Sequence, residues 1–228
     1  MKNNENQIKK WKKVFSDNKD KLIKANQNKA SLTFFKKEPV TFQLSRTENP
    51  VDFERMLFVI KACIKTGVNN YKSVLHIERS RKGSRLIASD GLRMHYAEIT
   101  KKIVSGNYKP HVTKDFIYLG KPVEKIKFPQ WAKVIPLNTE QKTVINLKDT
   151  GLRKDRKENE RLSLAFNDFL NKTGEPINIR YLEDLTKREW VVFSQSGKKK
   201  AIVLKEKSGN NGRLNEPLAV ILPIMKAA

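Results

Sequence analysis

Along the chain, apolar residues recur mostly every second position and only occasionally at helical spacing. Residues 40–45 alternate as a strand. A helix is predicted next: Asn49 offers an N-cap, Pro50 takes the first helical position, and Asp52 and Glu54 fall in the first turn. Phe53, Met56, Leu57, Ile60 and Ile64 give it one apolar face, and Gly67 supplies a stop. Strands are predicted over 73–79, 84–89 and 92–99. The last two join at Asp90-Gly91, a pair tolerant of positive φ and hence a hairpin signal. A single strand is predicted over 111–119, after which Pro122, Pro129 and Pro136 exclude a long helix. Strands follow at 142–147, 189–195, 200–205 and 218–224, a charged loop at 148–161, and a short helix at 181–187. The stretch 161–170 reads equally as strand or helix. The fold class is α+β, with antiparallel sheets, a few helices and no βαβ alternation.

Residues 1–37 stand apart. They hold eleven basic and three acidic residues, and Ile8, Trp11, Phe15 and Leu22 suit one helical face. A DNA-contacting arm, a membrane-surface helix and a tail without fixed structure all fit.

Charge narrows the function. The 228 residues carry a formal net charge of +23, which calls for a polyanionic partner, nucleic acid before anionic membrane. The basic residues are spread over the chain, as suits contacts to a phosphate backbone more than base reading. The candidate phosphate contacts are Lys9, Lys12, Lys13, Arg79, Arg81, Lys82, Lys101, Lys102, Lys198, Lys199 and Lys200. No stretch of about 18 apolar residues is present, so no membrane-crossing helix is expected. With a single cysteine, Cys63, no internal disulfide forms, which fits a reducing, intracellular and cytoplasmic setting.

Candidate catalytic chemistry is sparse. Phosphate-loop, nucleophile-elbow and zinc-protease motifs are missing from the sequence. His76, His95 and His111 lack metal-ligand spacing. Asp168, Glu183 and Asp184 are the carboxylates a Mg²⁺-dependent nuclease would use, but surface charge explains them more simply. Neither an enzyme nor a cofactor or metal site is expected.

Three stretches resemble the bacterial sliding clamp, the beta subunit of DNA polymerase III. Ser84–Met94 (SRLIASDGLRM) resembles a strand-turn-strand of the type LxLVATDGHRL. Phe128–Pro136 (FPQWAKVIP) is similar to the family's FPDYRRVIP at the junction of its middle and last domains. Ile179–Leu185 (IRYLEDL) and Ala219–Met225 (AVILPIM) resemble the closing VxYLLDxL and YVVMPMR. The three occur in clamp order. The resemblance covers about residues 38–228 and implies an abridged set of clamp domains. The expected division is a basic arm over 1–37, one clamp-like domain over 38–131 and a second, shortened one over 132–228.

The same resemblance implies a function: a sliding clamp or clamp-like processivity factor on double-stranded DNA. Its expected partners are a DNA polymerase or other clamp-binding proteins, a clamp loader, and further copies of itself in a homo-oligomer. It also implies a hydrophobic groove for partner peptides. The matching positions are Ser89, Gly91, Leu92, Arg93 and Met94, then Pro129, Lys133 and Val134, then Val220, Ile221, Leu222, Pro223, Ile224 and Met225. An extended peptide suits such an apolar trough. The alternative is a clamp-derived regulatory module that binds nucleic acid without encircling it. Two features depart from the family pattern. The chain has room for two domains where bacterial clamps have three, and its charge is unusual for proteins that are commonly acidic overall with basic residues lining the hole.

Overall fold

The computed structural model describes residues 39–64, 70–136, 139–146, 157–185, 189–195, 201–207 and 217–222. Its first half runs β1 (Phe42–Ser45), α1 (Pro50–Ile60), β2 (Leu75–Arg79), β3 (Ser84–Ser89), β4 (Arg93–Ile99), β5 (Gly106–Tyr108), β6 (Pro110–Val112) and β7 (Phe116–Leu119). Its second half runs β8 (Thr139–Asn146), α2 (Lys157–Thr173), α3 (Arg180–Asp184), β9 (Glu189–Gln195), β10 (Ile202–Glu206) and β11 (Leu218–Ile221). Each half opens with a strand, passes through helix and enters an antiparallel meander, β2-β3-β4 or β9-β10-β11, after which the first half continues through β5, β6 and β7. The two meanders join through their last strands. The result is one eight-stranded sheet in the order β5-β2-β3-β4-β11-β10-β9-β8, beside a three-stranded sheet β1-β7-β6.

Alternation along the strands builds two cores. On one face Leu75, Ile77, Leu86, Ala97, Val192, Leu204, Ala219 and Ile221 meet Phe53, Met56 and Val59 of α1, Phe169 of α2 and Leu182 of α3. The three α-helices α1, α2 and α3 therefore cover this face. Trp190 is fully buried here, and its indole N–H donates to the Leu185 carbonyl at 2.7 Å, which satisfies its polar atom. On the opposite face Ile87, Met94, Val203, Leu218 and Val220 are covered by Phe128, Trp131 and Ile135.

Several elements differ from the sequence expectation for identifiable reasons. Helix α1 ends at Ile60, before the apolar repeat does, and the Ile64 N–H is captured by the Lys72 carbonyl at 2.7 Å. Asn49 makes no side-chain cap, and Asp52 is buried, with its carboxylate accepting from the N–H and hydroxyl of Thr100. The single strand expected over 111–119 is two, β6 and β7. Thr113 folds them together: its N–H donates to the Phe116 carbonyl, and its hydroxyl accepts from the Phe116 N–H. Strand β5 has no counterpart among the expected strands, since three residues give no readable period. The ambiguous 161–170 is helical and belongs to α2, which also takes residues 157–161 from the expected loop. The amphipathic stretch of residues 1–37 lies outside the described residues.

Candidate functional site

The turn between β3 and β4 sets the geometry. Its central residues are Gly91 and Leu92, not the Asp90-Gly91 pair expected. Gly91 takes a positive φ, 93°, as hairpins with Gly at the first central position require. Asp90 flanks the turn, and its Oδ1 accepts from the N–H groups of Leu92 and Arg93, both at 2.9 Å. Ser89 closes the other side by donating its hydroxyl to the Arg93 carbonyl at 2.8 Å. This leaves Leu92 at the tip, 58% exposed.

Strand β11 then aligns along β4, with Leu218 opposite Tyr96, Val220 opposite Met94 and Ile221 opposite Arg93. Beyond the ladder the Leu222 N–H donates to the Leu92 carbonyl at 2.9 Å. The first and third clamp-like stretches are thus hydrogen-bonded neighbours. The second packs across the same sheet: Trp131 stacks on Tyr96 of β4 with ring centroids 5.3 Å apart, and Phe128 stacks on His76 of β2 at 4.6 Å. The Trp131 indole N–H also donates to Glu78 Oε1 at 2.8 Å.

Within this seam the positions expected to form a groove split by exposure. Leu92, Val134 and Leu222 are exposed large apolar residues. Gly91, Pro129 and Lys133 are exposed, and Ser89 and Arg93 are half-buried. Met94 and Val220 are buried in the core under Trp131, while Ile221 is buried in the core under the helices. Pro223, Ile224 and Met225 lie outside the described residues.

On the helix side Arg93 links both halves of the chain. Its guanidinium pairs with Asp184 of α3 and with Asp90, donates to the Lys61 carbonyl at 2.9 Å, and lies 4.6 Å from the centre of the Tyr181 ring. Burial pushes the Asp184 carboxyl up to about 6, against the opposing pull of Arg93. His95 is fully buried, stacks on Phe58 at 4.3 Å and bonds through Nδ1 to the Phe58 carbonyl at 2.8 Å. Burial pushes its imidazole down to about 3. The Cys63 thiol is likewise pushed up to about 12. Asp184 is not the surface charge expected from the sequence: its side chain is largely buried and paired with Arg93, a partner 91 residues away that local sequence does not reveal. Asp168 pairs with Lys172, and Glu183 is exposed. Among the described residues no three His, Cys, Asp or Glu side chains converge as metal ligands.

Of the candidate phosphate contacts, Arg79, Arg81, Lys82, Lys101 and Lys102 are all exposed and come together at one end of the large sheet. Lys9, Lys12, Lys13, Lys198, Lys199 and Lys200 lie outside the described residues.

No family model matches the sequence, and no curated protein matches it. Solved structures do match. A Pseudomonas aeruginosa sliding clamp, DNA polymerase III subunit beta, bound to griselimycin aligns with a TM-score of 0.53 at 12% identity, over 82% of this chain and 66% of that one. The H. pylori beta clamp in complex with diflunisal gives 0.52 at 9%, over 78% and 65%. The beta subunit of Thermotoga maritima gives 0.50 at 17%, over 83% and 66%. The aligned part thus amounts to about two thirds of the length of these proteins. At such identities the likeness is one of fold: antiparallel sheets and few helices arranged as in sliding clamps.

Proposed function

We propose that this chain is a clamp-like processivity factor that holds duplex DNA without regard to sequence, docks partner peptides at the β4–β11 seam and has no catalytic activity of its own. One observation carries the reading: of three separated stretches that resemble clamp sequences, the first and the end of the third pair on the adjacent strands β4 and β11 with the second packed over them, and they leave Leu92 and Leu222 exposed where the β3–β4 turn and the end of β11 are hydrogen-bonded. Apolar side chains beside a tight turn suit an extended peptide with alternate anchor residues. The charge of +23 supports a phosphate-directed grip. On this reading residues 38–131 and 132–228 are two clamp-like units joined at the seam, and residues 1–37 are a basic arm. The partners are a DNA polymerase or other proteins with clamp-binding peptides, and a clamp loader. Copies of the chain assemble as a homo-oligomer in the cytoplasm.

A second reading, a clamp-derived module that binds DNA without encircling it, is favoured by the helices. The segments forming α1, α2 and α3 contain seven acidic and five basic residues, so the helix layer offers no positive excess to a DNA strand held inside a ring. Retention on circular duplex DNA separates the two. Encirclement predicts that protein stays on closed circles in high salt and is lost on linearisation. Equal loss from both forms leaves the non-encircling module, and no binding to either form overturns both readings.

A further inference from the structure

We infer that duplex DNA is gripped at the hairpin end of the large sheet, by Arg79, Arg81, Lys82, Lys101 and Lys102, and not on the helix layer. The inference rests on the DNA-binding reading above and assigns that binding to a place. Arg79 pairs with Ser84, and Ser84 with Ile99, so the end of β2 and the segment after β4 are two strand spacings apart, roughly 10 Å. The 80–83 turn and the 100–105 segment are locked together. Ile103 N–H donates to the Ser84 hydroxyl at 2.8 Å, and Arg79 N–H to the Ser105 hydroxyl at 2.9 Å. The turn lies flat on its neighbour, since a Cβ at Gly83 would sit 2.0 Å from the Ile99 carbonyl oxygen. Five exposed cations are therefore fixed on rigid backbone, over a span comparable with the Debye length of about 8 Å at physiological salt.

The acids close by are already engaged. Asp52 accepts from Thr100, Glu78 from Trp131, and Glu98 from Arg85 and Tyr96. Among the described residues none of the five cations lies within ion-pair distance of a carboxylate. A concentrated positive surface whose five cations are free of ion pairs among the described residues, with Glu98 matched to Arg85 and the helices carrying more acid than base, directs a phosphate backbone to the hairpin end. Lys and Arg contacts of this kind fix position and carry no base reading.

The test compares two variants of equal net charge. One replaces Arg79, Arg81, Lys82, Lys101 and Lys102 by Ala. The other replaces the equally exposed Lys109, Lys114, Lys121, Lys125 and Lys127. Binding of a random-sequence duplex is measured against salt concentration by fluorescence polarisation, with a melting curve for each variant. The first variant should lose roughly 4 to 5 from the log–log salt slope, about 0.9 per phosphate contact. The second should keep the wild-type slope within about 1. Equal losses would mean diffuse attraction by net charge and overturn the assignment. An unchanged slope in the first variant would place the grip elsewhere. A wild type that does not bind duplex at all would instead overturn the DNA-binding reading itself. Should the Ala variant melt early, the version that exchanges Arg and Lys at the five positions serves: it keeps the charges and should keep the slope, and loss of the slope there would contradict a grip by charge.

Discussion

Leu222 donates its backbone N–H to the carbonyl of Leu92 at 2.9 Å, across 130 residues of sequence. That bond places the end of β11 beside the tip of the β3–β4 turn. It also sets the two exposed leucines apart from Val220 and Met94, which the same strands bury.

The Arg93–Asp184 pair should behave as a coupled unit. Arg93→Met leaves the Asp184 carboxylate without its cation in a largely buried position and should cost on the order of 3 kcal/mol. Adding Asp184→Asn to that variant should recover part of the loss, because the stranded charge disappears. Urea unfolding of the two single variants and the double variant measures this. Additive losses would show that the two residues do not act as a pair.

Acidity should distinguish the two buried titrating groups. Asp184, raised from 3.8 to about 6, takes up a proton in the fold over a range where the unfolded chain has none, so its contribution to stability falls as pH rises through that window. His95, lowered from 6.5 to about 3, acts in the opposite sense: the unfolded chain gains a proton that the fold refuses, so stability falls as pH drops. The stability advantage of wild type over Asp184→Asn should therefore grow as pH is lowered from 6 to 4. An advantage that shrinks would mean that Arg93 outweighs burial and holds the carboxyl low.

Cys63 should be a poor nucleophile. With its thiol pushed up to about 12, almost none is thiolate at neutral pH. A thiol reagent at pH 7.5 should label the folded chain far more slowly than the urea-unfolded chain. Labelling at the unfolded rate would contradict the burial of this thiol.

Strand periodicity was legible where several residues repeat it. Ser84–Ser89 and Glu189–Gln195 occupy their expected positions, and the Phe53, Met56, Ile60 face of α1 is the buried one. What pattern could not show were features made by distant partners. Asp52 has the look of a helix-start acid, but Thr100 claims it from 48 residues away. The 111–119 run reads as one strand because Thr113 folds the chain through its own hydroxyl, not through Gly or Pro. At the seam, the resemblance gave the groove positions, yet exposure is decided by strand parity. Val220 and Ile221 are adjacent in sequence and point into opposite cores, which leaves Leu222 as the apolar side chain on the surface.

The central claim is peptide docking at the β4–β11 seam, and fluorescence polarisation of a labelled clamp-binding peptide from a replicative polymerase tests it most directly. Wild type should bind the peptide. The Leu92→Ala/Leu222→Ala variant should lose affinity by about a hundredfold, since two apolar anchors are worth roughly 1.5 kcal/mol each, while its melting temperature and duplex DNA binding stay near wild type. Unchanged peptide affinity in that variant, or no binding by wild type, would contradict the account.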